Sequence, residues 1–273
     1  MLLSLEFTKM NGAGNDFVML DNRGGKLQLS EQQIHFLCDR HRGIGADGLL
    51  VLELVENTVP YRMRYYNADG MEVEMCGNGA RCFTRYLAEL EKLSGQISFH
   101  TKAGVIEGTL KGDRVQIVMS TPFDLQLNQS LTLDSGEKLK FHSINTGVPH
   151  VVLVMNDLSM APVVTLGRKL RYHQHFSPAG TNVNFVQIKE PQLLFIRTYE
   201  RGVEDETMAC GTGVVASALI YHLLSKAPSP ISVITQGEDK LQVDFQVTEN
   251  PFQLTKVALT GPADFVFKGT ISL

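Results

Sequence analysis

One stretch of this chain occurs twice, and the repeat limits what the chain can become. Met75-Cys76-Gly77-Asn78-Gly79-Ala80-Arg81-Cys82 and Met208-Ala209-Cys210-Gly211-Thr212-Gly213-Val214-Val215 each set a cysteine before Gly-x-Gly and then run into a helical pattern. Other landmarks share the spacing. Cys76 and Cys210 differ by 134, Gly14 and Gly147 by 133, Arg64 and Arg197 by 133, and Asp47 and Asn182 by 135. Four landmarks in one order at nearly one offset read as a duplicated half with few insertions. Such halves pack about a pseudo-twofold axis with their shared site in the cleft, so the two cysteines are expected to face each other across it.

A thiol at the start of a helix sits beside unpaired N–H groups and the positive end of the dipole, which favours the thiolate. Two such thiols are either a redox pair or an acid and a base. Composition narrows the setting. A net charge of −4 gives no basic footprint, so nucleic acid is not an expected partner. No apolar run reaches the roughly 18 residues of a membrane span. Met1 to Phe7 alternates like a strand and has no basic leader, so a cytoplasmic location with four reduced cysteines is expected.

Taken in order, Leu3 to Met10 and Asp16 to Asp21 read as strands joined by a tight turn at residues 11–15. Ser30-Glu31-Gln32-Gln33 is a capping box, and the helix after it puts Ile34, Leu37 and Cys38 on a buried face. Gly43, Gly45 and Gly48 match G-x-G-x-x-G formally. A dinucleotide site needs a strand before the glycines and a helix after them, and the order here is reversed, so they make a turn. Strands follow over 49–54 and 61–67, and then the first cysteine stretch opens a helix with Ala80, Phe83, Leu87 and Leu90 on one stripe. Cys82 lies in that helix with no metal-ligand spacing around it and reads as packing. Three short strands end near Thr121-Pro122-Phe123, which reads as a boundary.

The second half repeats this order. Strands are expected over 141–145, 151–155, 183–188 and 193–199, with a polar helix over 164–175 between the second and third. The helix from Thr212 to Leu224 is apolar on most faces and should be buried centrally. Four more strands, over 231–235, 240–245, 255–260 and 265–271, close the chain.

Three chemistries compete for the two thiols. A redox pair would be expected as a local Cys-x-x-Cys, which is absent. A cysteine nucleophile with His150 as base leaves the second Cys-Gly-x-Gly unexplained. Inversion of a carbon stereocentre needs a base on one face and an acid on the other, and two symmetry-related thiols supply both. The helix N-termini would stabilise a carboxylate and the charge that develops as the α-proton leaves. No pyridoxal-binding signature is evident, so no cofactor and no metal are expected.

The chain resembles the diaminopimelate epimerases. The resemblance rests on residues 9–17 (KMNGAGNDF), 40–48 (RHRGIGADG), 67–70 (NADG), 76–82 (CGNGARC), 199–202 (YERG) and 209–213 (ACGTG). It implies a cofactor-independent isomerase that converts LL-2,6-diaminopimelate to the meso form in lysine and peptidoglycan synthesis. It implies an α+β fold of two pseudo-symmetric domains, each a mixed, mostly antiparallel barrel-like sheet around a central helix, with the site in the cleft between them. The C-terminal strand of this family returns to the first domain, giving expected domains of 1–120 plus 263–273 and 121–262. By the same resemblance Cys76 deprotonates the LL substrate and Cys210 reprotonates it. Gly77, Asn78, Gly211 and Thr212 cradle the α-carboxylate. Asn15, Asn67, Asn182, Glu200 and Arg201 bind the remaining polar groups, and His150 stands behind a thiol. The expected partner is the small substrate, with no membrane, and homodimer formation is left open.

Two positions depart from the common family pattern. Val148 stands where many members carry asparagine before Pro-His, and Gly48 where some carry glutamine. Val148 cannot hydrogen-bond a substrate group, which leaves room for a broader amino-acid racemase. A thiol redox sensor, or an inactive amino-acid-binding paralogue, is the alternative of a different class.

Overall fold

A computed structural model of the chain describes residues 4–249 and 252–273. The chain divides into two compact units, residues 1–117 with 261–273 and residues 118–260. Leu3, expected to begin the first strand, lies outside the described residues.

In the first unit β1 (Ser4–Gly12) and β2 (Asn15–Asp21) form a hairpin through Ala13 and Gly14. Both turn residues have positive φ, 62° and 79°, the backbone that lets two strands with right-handed twist meet in a two-residue loop. The capping box opens α1 (Glu31–Cys38): the Ser30 hydroxyl accepts from the Gln33 N–H, and Gln33 Oε1 accepts from the Ser30 N–H. β3 (Gly48–Leu54) then lies parallel to β2, and β4 (Tyr61–Asn67) lies antiparallel to β3. After the short β5 (Glu72–Val73) comes α2 (Gly77–Glu91). β6 (Gln96–Thr101) runs parallel to β4, and β7 (Gly104–Lys111) and β8 (Arg114–Val118) continue as a meander. α2 packs on β1, β2, β3 and β7. Ala80, Phe83 and Leu87 are buried along the expected stripe, while Leu90 is half-buried at its end.

The second unit repeats that plan. Its strands and helices are β9 (Phe123–Thr132), β10 (Lys138–Asn145), β11 (Pro149–Val154), α3 (Val163–Arg171), β12 (Asn182–Glu190), β13 (Leu193–Glu200), β14 (Asp205–Thr207), α4 (Gly211–Ser225), β15 (Ile231–Ile234), β16 (Lys240–Glu249) and β17 (Phe252–Pro262). β11 and β12 are parallel, as β2 and β3 are, and β13 and β15 are parallel, as β4 and β6 are. α2 and α4 both span 15 residues, and both end on a left-handed lysine, Lys92 and Lys226. Residues 213–221 of α4 are buried on every face, as its apolar composition requires. Finally β18 (Asp264–Ser272) pairs antiparallel with β1, so the first unit is built from both ends of the chain. No helix among the described residues is long and apolar enough to cross a membrane.

Three sequence readings need correction. The helix expected over 164–175 stops at Arg171. His173 takes an extended backbone, and its ring accepts the His175 N–H, starting a separate 3₁₀ turn over Gln174–Phe176. β9 was not expected, although Phe123, Leu125, Leu127 and Leu131 alternate with polar residues along it; Asp124 and Asn128 sit at positive φ, and its pairing with β10 shifts register twice. The mate of Asn182 is Gly48 rather than Asp47, since Phe17 pairs with Gly48 where His150 pairs with Asn182.

Candidate functional site

Each cysteine is the N-cap of its helix, in extended backbone, and neither uses its side chain for capping. The first intrahelical bonds run from the Ala80 N–H to the Cys76 carbonyl (2.8 Å) and from the Val214 N–H to the Cys210 carbonyl (2.9 Å). The amides ahead of them, at residues 77–79 and 211–213, have no acceptor within the helix by its geometry. The glycines at 77 and 211 thus begin two matching anion-binding ends.

In the first unit Asn15, the first residue of β2, donates from Nδ2 to Cys76 Sγ over 3.7 Å. Its Oδ1 is buried and has no partner among the described residues. A charge network, buried at Lys9 and open to solvent at Arg40 and Asp47, fixes the start of β2. Lys9 on β1, 5% exposed, pairs with Asp16 at 2.7 Å and donates to the Gly45 carbonyl. Arg40 grips Asp16 with two N–H groups (2.9 and 2.8 Å) and reaches Asp47 at 2.7 Å. Burial raises the Asp16 carboxyl, but the hydrogen bonds from Arg40 and Lys9 outweigh it and hold the group well below the usual carboxylate range. Asp47 is raised, by burial and then by the charge of Asp16.

Asn78 is buried, and its Oδ1 accepts from Arg81 at 2.9 Å. Arg81, fully buried, also donates to the carbonyls of Pro262 and Gly12. The Asn78 side chain therefore belongs to the scaffold, and its backbone N–H faces the site end of the helix. Asn67 is half-buried, and its backbone closes the turn to Gly70 and Met71. Cys38 and Cys82 are buried, and desolvation pushes both thiols up to about 12, which makes them packing groups. The departure at Gly48 has a steric cause. A Cβ there would lie 2.7 Å from both the Tyr65 ring and the Tyr66 carbonyl, so the ring of Tyr65 fills the space a longer side chain would need.

In the second unit Cys210 is 7% exposed, and its Sγ lies 3.6 Å from the Thr212 hydroxyl. Glu200, at the end of β13, accepts from Thr207 Oγ1 at 2.9 Å. Burial raises its carboxyl above the ordinary range, opposed by hydrogen bonds from Thr207 and from the Cys210 thiol itself. Asn182 is buried, and each end of its amide meets backbone: Oδ1 accepts the Arg201 N–H (2.9 Å), and Nδ2 donates to the Pro149 carbonyl (3.0 Å). It holds Arg201 in place. The Arg201 guanidinium, half-buried, also donates to the Ala179 carbonyl.

His150 is 1% exposed. Asn184 donates to the Val151 carbonyl (2.8 Å), which fixes the orientation of its amide, and also to His150 Nδ1 (3.1 Å). Nδ1 is then an acceptor and the ring proton sits on Nε2. Nε2 is buried without a partner among the described residues. Burial, and then the charge of Arg201, lowers the imidazole to about 3, so it is neutral near pH 7. A Cβ at Gly213 would lie 2.3 Å from Asn184 Oδ1 and 3.4 Å from Cys210 Sγ, so the first turn of α4 rests on this asparagine.

The first unit thus gathers Asn15, Gly77 and Asn78 around Cys76. The second gathers Asn182, Glu200, Arg201, Gly211, Thr212 and His150 near Cys210. The sequence reading did not single out the Lys9–Asp16–Arg40–Asp47 network, Arg81, Tyr65 or Asn184. Asn184 had a signal, since it lies two residues after Asn182 on the same strand face. Among the described residues no group of three or more His, Cys, Asp or Glu could hold a metal ion.

The family model for diaminopimelate epimerase matches residues 7–125 and 142–266. The diaminopimelate epimerase of Aquifex aeolicus is 39% identical over 280 residues, covering 98% of each chain. That of Chlorobaculum tepidum is 40% identical over 268 residues, covering 97% of this chain and all of the relative. Among solved structures, a probable proline racemase from Agrobacterium radiobacter with bound carbonate is similar with a TM-score of 0.72 at 15% identity, over 98% of this chain and 93% of that one. A phenazine biosynthesis protein of Bacillus anthracis gives a TM-score of 0.70 at 14% identity, over 99% and 100%. These two likenesses carry the α+β fold, and the full-length relatives carry the family. The chain belongs to the diaminopimelate epimerase family.

Proposed function

We propose that this protein epimerises LL-2,6-diaminopimelate to the meso form by removing and returning one α-proton without a cofactor. The observation that carries this reading is the pair of cysteines in one local setting, each the N-cap of a 15-residue helix, 134 residues apart. Cys76, as thiolate, takes the α-proton from the LL substrate, and Cys210, as thiol, delivers a proton to the opposite face. The roles exchange in the reverse direction. The backbone N–H groups at Gly77, Asn78, Gly211 and Thr212 hold the α-carboxylate and stabilise the charge that develops as the proton leaves. Arg201 takes the far carboxylate with two or more N–H donors, positioned by Asn182. Asn15 and Asn67 bind the remaining polar groups, and Glu200 and His150 stand behind the thiols. Residues 1–120 with 263–273 form the domain of the first thiol and 121–262 that of the second. The cytoplasm, a reducing compartment, suits a pair of thiols that must stay reduced to exchange protons.

The test is incubation with LL-diaminopimelate in deuterated water. Meso product with deuterium at one α-carbon is the expected outcome, and absence of isotope uptake would sink the reading. Val148 favours one variant of it, a wider substrate range at the far end of the molecule. A panel of glutamate, proline and single-centre analogues separates the two: exchange with diaminopimelate alone removes the wider range.

A further inference from the structure

We infer that the two thiols are poised unequally in the substrate-free protein, and that Asn15 is the positioning residue that sets the difference. The inference rests on the reading of Cys76 and Cys210 as the proton-transfer pair. Its geometric ground is the Asn15 amide, whose Nδ2 donates to Cys76 Sγ over 3.7 Å. A hydrogen bond donated to sulfur favours the thiolate over the thiol. The donor is held from behind, because Asp16, the next residue, is locked by Lys9, Arg40 and Asp47.

The second unit has a corresponding place, and a different residue fills it. Gly14 and Gly147 are the hairpin-tip glycines, with φ of 79° and 111°, and they lie 133 apart. Both hairpins rest on the same point of their helices. The position of a Cβ on Gly12 is 2.9 Å from the Asn78 carbonyl oxygen, and Thr146 Oγ1 is 2.9 Å from the Thr212 carbonyl oxygen. Asn78 and Thr212 are 134 apart. Val148 follows Gly147 as Asn15 follows Gly14, so a side chain that carries no donor stands where the amide stands in the first unit.

The ionisable neighbours point the same way. On the Cys76 side, Asp16 is paired with Lys9 and Arg40, Arg81 is engaged by Asn78 and two carbonyls, and Cys82 is a buried thiol. On the Cys210 side, the Glu200 carboxyl lies against the thiol, His150 is neutral, and Arg201 is directed to the Ala179 carbonyl. The Thr212 hydroxyl, 3.6 Å from the sulfur, can serve as donor or acceptor and tips neither way. A carboxyl group beside a thiol opposes a second negative charge. Cys76 therefore rests as the base and Cys210 as the acid, the order that the LL substrate needs. Asn15 Oδ1 is left to the substrate.

The experiment is alkylation of the full chain with iodoacetamide from pH 5 to 10, read for each cysteine by peptide mass spectrometry. Each thiol is described by the midpoint of its own pH profile, so a difference in access alters the plateau and not the result. The Cys76 midpoint is expected to lie below that of Cys210 by about one pH unit or more, the effect expected of a favourable against an unfavourable neighbour. Asn15→Leu should raise the Cys76 midpoint and leave Cys210 in place. Val148→Asn should lower the Cys210 midpoint. An unmoved Cys76 midpoint in folded Asn15→Leu overturns the inference, as does a native Cys210 midpoint at or below that of Cys76. If Asn15→Leu fails to fold, Val148→Asn decides, and an unmoved Cys210 overturns it. Deuterium uptake is scored separately: uptake with equal midpoints removes this inference and keeps the epimerase, and unequal midpoints without uptake do the reverse.

Discussion

The two units can be laid against each other element by element, and they agree in scaffold while differing at the strand ends that face the thiols. α2 and α4 match in length, start and left-handed end. Arg64–Glu72 and Arg197–Glu206 tie β4 to β5 and β13 to β14 in the same way. At corresponding places, however, the first unit has Asn15, Phe17 and Gly48 where the second has Val148, His150 and Asn182. Packing thus fixes where each sulfur sits, and a few strand-end side chains decide its chemistry. A helix N-terminus is a general device for holding an anion. On the inference drawn above, an amide on one sulfur and a carboxyl on the other turn two copies of it into a base and an acid.

The strongest break of this comparison is removal of either sulfur. Cys76→Ala and Cys210→Ala should each lower the rate of α-proton exchange by about 10²- to 10⁴-fold, the range for a positioned acid or base. Cys38→Ala and Cys82→Ala should leave it within a few-fold, because both thiols are buried packing groups. Isotope exchange in deuterated water measures all four. Equal loss from Cys82→Ala would show that the helix interior, and not the N-cap, carries the chemistry.

The scaffold of the first unit can be tested through Lys9. Lys9→Met removes the ammonium from Asp16 at 2.7 Å and from the Gly45 carbonyl, beneath the turn that holds Asn15. Breaking a buried pair costs about 3–5 kcal/mol, and the low end, about 3 kcal/mol, is expected because Arg40 still serves Asp16. Urea unfolding gives the value. A loss below about 1 kcal/mol would mean that Arg40 alone fixes the turn.

A smaller effect separates the units by pH. His150 titrates near 3 in the folded protein, against about 6.5 when unfolded. The unfolded chain therefore binds the proton first as pH falls. The stability tied to the neutral ring is complete above pH 6.5 and is lost progressively from there toward pH 3. By pH 4.5 the loss is about 2–3 kcal/mol. Phe17, at the corresponding place in the first unit, has no such dependence. His150→Phe should flatten the urea midpoint between pH 4.5 and 6.5, and an unchanged slope would place the acid sensitivity elsewhere.

Much of this was legible in the sequence because short-range chemistry dictated it. Ser30 and Gln33 announce α1, the spacing of Ala80, Phe83 and Leu87 announces the buried face of α2, and the repeat offset announces both N-cap thiols. Other features depended on partners distant in sequence. Lys9 reads as an ordinary strand residue until Asp16 and Gly45 close over it, and the burial of Arg81 depends on Pro262, 181 residues away. Asn182 was read as a substrate ligand from family position, and the fold shows its amide engaged by Pro149 and Arg201, so its proposed part in binding runs through Arg201. β9 was legible too, since Phe123, Leu125, Leu127 and Leu131 alternate with polar residues as in a strand, but the boundary read at Thr121-Pro122-Phe123 hid it.

The smallest effect concerns the matched ion pairs, where the units should behave alike. Arg197 meets Glu206 with two bonds of 2.7 Å, whereas Arg64 meets Glu72 at 2.8 and 3.3 Å and also lies 3.6 Å from Glu53. All these side chains keep some contact with solvent, so each pair is worth about 1 kcal/mol or less. Double-mutant cycles with Arg64→Met and Glu72→Gln, and with Arg197→Met and Glu206→Gln, isolate each coupling. The coupling at Arg197 should be the larger, since its two bonds are shorter and Arg197 also donates to the Leu158 carbonyl. Glu53 shares the charge of Arg64 and compensates partly when Glu72 is removed. A coupling at Arg64 well above that at Arg197 would mean that the duplicated scaffold is held unequally. The contrast between the thiols would then extend into the strands beneath them.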